Sequence, residues 1–65
     1  MTFQTYIIAF YDPETGQTTF YYRGETGKCA NRWDAKIYQH IEDAEADAAL
    51  LRGMFGESGV SVVHR

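Results

Sequence analysis

The sequence predicts an α+β domain of ββαβ order: a three-stranded antiparallel sheet, strand order 2-1-3, with one long helix packed on one face. Three observations carry this expectation. Apolar residues recur at Trp33, Ile37, Ile41, Ala44, Ala48, Leu51 and Phe55, steps of three and four that trace one face of a helix. Two aromatic and β-branched runs flank Asp12-Pro13-Glu14-Thr15-Gly16, which is turn chemistry between two strands. A third β-branched run, Val60 to His64, follows the glycines that end the helical pattern.

Residues 3 to 11 suit a strand, because β-branched and aromatic side chains pack well on a pleated surface. Phe3, Thr5, Ile7, Ala9 and Tyr11 would share one face, and Gln4, Tyr6, Ile8 and Phe10 the other. Both sets are largely apolar, which places this strand in the middle of its sheet. Asp12 to Gly16 then reverses the chain. Residues 17 to 23 form the second strand of an antiparallel hairpin, and Gly24 to Ala30 is read as a loop.

Asn31 is a good N-cap with Asp34 three residues on, where a carboxylate favours a helix N-terminus. One helix would then run from Asn31 for up to about 24 residues, roughly 36 Å long. The alternative ends a short strand at Tyr38 and starts the helix near His40. Glu42 to Met54 is helical either way, and Gly53 and Gly56 stop it. An antiparallel helix would return the chain so that Val60–His64 lies beside the first strand.

At 65 residues the chain is a single compact domain, 1–65, with a thin core. Cys29 is its one cysteine, so no internal disulfide can brace it. Four Phe, five Tyr and one Trp must supply the packing. The run Tyr6 to Tyr11 is too short to span a membrane and has no basic leader. The expected location is cytoplasmic, in an infected or host bacterial cell.

Charge placement says more than its size. Asp12, Glu14, Glu25 and Asp34 balance Arg23, Lys28, Arg32 and Lys36, so the net −3 resides in residues 42–65. Direct nucleic-acid binding needs a basic face, which this balance argues against. Cys29 could act as a nucleophile only with a base beside it, and its Gly-Lys-Cys-Ala context marks none. Cys29, His40, His64 and Asp34 lack the paired spacing of a zinc site. Neither an enzyme nor a cofactor or metal is expected.

The feature that a merely solvated helix does not account for is Glu42, Asp43, Glu45 and Asp47, four acids in six residues with no Lys or Arg among them. Leu50 and Met54 fall on the same flank as Asp43 and Asp47. An acidic strip beside apolar side chains suits a basic, partly apolar groove on another protein. The expected binding residues are therefore Glu42, Asp43, Glu45 and Asp47. The alternative is a structural or assembly module that pairs through an aromatic sheet face, with Tyr6 and Tyr21 in the contact. Either way the chain is a monomer or a weak homodimer.

Tyr6-Ile7-Ile8, Asp12-Pro13-Glu14-Thr15-Gly16, Phe20-Tyr21-Tyr22-Arg23-Gly24, Trp33 and the Ala/Glu-rich helix together resemble small proteins of phages and mobile elements. Anti-CRISPR proteins share this size, acidity and strand-plus-helix build. The resemblance implies an inhibitor that mimics DNA and blocks the nucleic-acid site of a CRISPR effector subunit. Those proteins have no common motif, so the residues assigned remain the four acids.

Overall fold

A computed structural model describes residues 4–25, 27–55 and 59–65, with Phe55 described in its backbone. Phe3, read as the start of the first strand, and Gly56, read as a helix stop, lie outside the described residues. The order is β1 (Tyr6–Tyr11), β2 (Thr18–Gly24), β3 (Gly27–Cys29), a 3-10 turn at Arg32–Asp34, α1 (Ile41–Phe55) and β4 (Val60–His64). The sheet is antiparallel, in the order β3-β2-β1-β4.

β1 is flanked on both sides, and Ile7, Ile8, Ala9 and Phe10 are all buried. This matches its two apolar faces, and the predicted 2-1-3 order survives as β2-β1-β4. The hairpin is made as its residues require. Gly16 N donates to Asp12 O at 2.7 Å, and Asp12 N to Gln17 O at 2.8 Å. The Asp12 carboxylate accepts from Glu14 N at 2.9 Å, the local bond that favours Asp in turns. Gly16 takes φ +76, a region open to glycine at no steric cost.

Two expectations need correction. The sheet has four strands, because Gly27–Cys29 folds back on β2 where a loop was expected. Three residues beginning with a glycine are too few to show the alternation that reveals a strand. The helix has 15 residues and begins at Ile41, not at Asn31, and it runs through Gly53 to Phe55 rather than stopping there. Asn31 does cap, but it caps the 3-10 turn, its side chain accepting from Trp33 N at 3.0 Å.

The reason lies in the sheet. At Tyr6, β1 has His64 of β4 opposite on one side, while its register with β2 covers Ala9 to Tyr11. Tyr38 fills the gap: Tyr6 N donates to Tyr38 O at 2.9 Å and Tyr38 N to Tyr6 O at 2.8 Å. Lys36 N likewise donates to Tyr22 O at 2.9 Å. Buried backbone groups that would otherwise lack partners hold this segment extended. The alternative with a strand near Tyr38 and a helix from about His40 was the closer reading.

α1 packs on β1 and β4. Ala44, Ala48 and Leu51 meet Ile8, Phe10, Tyr38 and Val60 in the core, with Tyr6, Tyr22 and Val62 at its margin. Two alanines let the helix approach the sheet closely, and fully burying a residue such as Ile8 or Leu51 contributes about 1.5–3 kcal/mol. The pleat turns Ile7 and Ala9 to the opposite face. The Arg32 guanidinium donates to His64 O at 3.0 Å, tying the segment after β3 to β4.

Candidate partner-binding face

α1 carries its acids in its first two turns. Ala44 N and Asp43 N both donate to His40 O, at 3.3 and 3.2 Å, so the helix starts just before Glu42. Glu42 and Asp43 lie in the first turn, where acidic side chains complement the positive end of the helix dipole.

The four acids do not share one environment. Glu42 and Asp43 are exposed and form no ion pair with the described residues. Glu45 is exposed and lies 3.8 Å from Arg52, a surface pair of little energetic weight. Asp47 turns toward the protein. Its Oδ2 accepts from the Tyr38 hydroxyl at 2.6 Å and sits 3.6 Å from Lys36 Nζ. Burial, the bond to Asp47, that carboxylate's charge and Tyr22 hold the Tyr38 phenol well above its usual range. Asp43 and Asp47 border one shallow depression with Lys36, His40 and Ala46.

Arg52 anchors the other end of the helix, its Nε donating to Val60 O at 3.4 Å. The helix therefore presents Glu42, Asp43 and Glu45 outward, while Asp47 belongs to the joint between α1 and the 35–38 segment.

The tyrosines are covered in part. Tyr38 is buried, and Tyr6, Tyr11, Tyr21 and Tyr22 are half-buried. Tyr6 packs on His64, ring centroids 5.1 Å apart. Exposed apolar surface lies elsewhere: Trp33 at 62%, Leu50 at 69%, Met54 at 64% and Phe20 at 45%. Trp33 stands beside two cations, Arg32 at 5.6 Å and Arg65 at 5.0 Å, a contact attractive to the ring face.

Leu50 and Met54 share the flank of Asp47, as their spacing indicated, and with Phe10, Tyr22, Lys28 and Leu51 they line a cleft of about 110 Å³. Its sheet wall was not readable, because Lys28 belongs to the strand taken for a loop. Lys28 Nζ lies 4.7 Å from the Phe10 ring centroid. The Cys29 thiol meets the backbone carbonyls of Tyr21 and Asn31, at 3.6 and 3.4 Å. No group of His, Cys, Asp and Glu that could hold a metal occurs among the described residues. No helix among them is long and apolar enough to cross a membrane.

No protein-family model, curated protein or solved structure matches the chain.

Proposed function

We propose that this chain is a small acidic binding protein that seats α1 in the basic, nucleic-acid-binding groove of another protein and so keeps polynucleotide out. The observation that carries the reading is the outward set Glu42, Asp43 and Glu45, on a helix with no cation before Arg52. Neighbouring acids on a helix stand about 5–6 Å apart at three- and four-residue spacing, close enough to meet a row of Lys and Arg. The partner's cations would trade phosphate for carboxylate, the reverse of protein–DNA electrostatics. Anti-CRISPR inhibitors that mimic DNA are the class this reading resembles, with a CRISPR effector subunit as the partner.

The test is capture from host lysate followed by competition. A captured protein should itself bind DNA, and DNA should displace this chain from it. Affinity should fall about tenfold or more between about 50 mM and about 200 mM salt. Glu42→Lys with Glu45→Lys should abolish binding while the circular dichroism stays native. These two sites are chosen because Asp47→Lys would strip the Tyr38 hydroxyl of its acceptor. Salt-indifferent binding, or full binding by the reversed variant, rules the reading out.

A further inference from the structure

β4 ends the sheet, and its outer side meets no other strand among the described residues. An edge of this kind is a template for a further strand. The sequence Val60-Ser61-Val62-Val63-His64 suits it to that: it is rich in valine and has no Lys, Arg, Asp, Glu or Pro, the composition of strands that self-associate. The opposite edge is blunted by its own sequence. β3 is three residues long and centred on Lys28, with a register shift between Tyr22 and Gly24 where it pairs with β2. β4 has no such device within itself. Its register with β1 is unbroken, from His64 opposite Tyr6 to Val60 opposite Phe10.

Protection reaches β4 from elsewhere in the chain. Tyr11 N donates to Gly59 O and Arg65 N to Thr5 O. Residues 59, 61, 63 and 65 therefore turn their backbone groups inward to β1, and Val60, Val62 and His64 turn theirs outward. Arginines take the carbonyls at both ends of that outward row. Arg52 Nε, from α1, donates to Val60 O at 3.4 Å. Arg32 Nη2, from the 3-10 turn, donates to His64 O at 3.0 Å. Val62 lies between the two caps. Arg32 is held there at a cost, because its Nε is buried with no hydrogen-bond partner among the described residues. An arginine kept only for solubility would leave its whole guanidinium in water.

We propose that Arg32 and Arg52 are edge guards: by occupying the outward carbonyls of Val60 and His64 they stop β4 from pairing with the β4 of a second copy. Two identical edges are the natural pair, because a twofold rotation sets them antiparallel with each donor row facing an acceptor row. An incoming strand needs the carbonyls that the guanidiniums hold, and must displace side chains anchored on two different elements. Removing both arginines makes the net charge more negative than −3, which raises repulsion between copies. Association in such a variant is gained against charge.

Sedimentation velocity of the full chain, with amide hydrogen exchange, tests this. Arg32→Ala with Arg52→Ala should associate at concentrations about tenfold or more below any at which the wild type does, with native circular dichroism. The outward Val62 amide should exchange about tenfold or more slowly in the assembly than in the wild type. Adding Val62→Pro should restore the wild-type state, since proline is tolerated where the N–H faces away from the sheet and has none to offer a new strand. Glu45→Gln removes the ion pair of Arg52 and keeps its bond to Val60, so it should behave as the wild type. Both arginines are half-buried and outside the core. Should the double variant lose its fold, Arg32→Ala and Arg52→Ala carry the test singly, each uncapping one end. Folded variants that associate no more readily than the wild type overturn the proposal. So does association that survives Val62→Pro, or that leaves the Val62 amide exchanging as in the wild type.

Discussion

Tyr38 and Asp47 show how one hydrogen bond joins two segments. The hydroxyl donates to a half-buried carboxylate at 2.6 Å, with Lys36 3.6 Å from the same oxygen. A bond to a charged acceptor is worth about 1.5–3 kcal/mol, less where water reaches the group. Tyr38→Phe is therefore expected to cost about 1–2 kcal/mol in urea denaturation. The same bond sets an alkaline limit. Tyr38 holds its proton more tightly folded than unfolded. Its contribution is whole below the ordinary phenol pKa of about 10 and is lost as pH climbs toward the raised value. Stability measured from pH 9 upward should fall further for the wild type than for Tyr38→Phe, which has no hydroxyl to ionise; parallel profiles would refute the assignment. None of this pairing was legible in the sequence. On one continuous helix, residues nine apart lie on opposite faces at about 100° per residue. Tyr38 and Asp47 meet because the helix does not run through them.

At the scale of elements, what could be read depended on where the information lay. The two-faced apolar pattern of β1, the Asp12–Gly16 turn and the Ala44-Ala48-Leu51 stripe are local, and each formed as read. The helix start is not local. The three- and four-residue spacing continues back through Ile41, Ile37 and Trp33, yet these three side chains are exposed. Pairing of Tyr38 with Tyr6 outweighed a helical register that would have left β1 unpaired there. The exposure of Glu42, Asp43 and Glu45 follows from charge alone, whereas the inward turn of Asp47 depends on that same break. Gly59 is a further non-local requirement. It has φ +107, and an added Cβ would sit 3.0 Å from Tyr11 O, beside the bond from Tyr11 N to Gly59 O at 2.9 Å. Gly59→Ala combines left-handed strain with a backbone clash. It is expected to cost about 1–3 kcal/mol in thermal or urea unfolding, and a neutral result would mean that β4 does not enter the sheet this way.

For the molecule as a whole the governing quantity is the thinness of its core. Fully buried side chains come chiefly from β1, α1 and Val60, with no disulfide to add to them. A domain of this size rarely holds more than about 3–5 kcal/mol. Removing one large side chain at the helix–sheet contact consumes a comparable amount, since Leu→Ala in a core costs about 2–5 kcal/mol. Leu51→Ala should leave much of the population unfolded at room temperature, seen as lost helical circular dichroism. Ile8→Val removes one methylene and costs about 0.5–1.5 kcal/mol, which the fold survives with a lower urea midpoint.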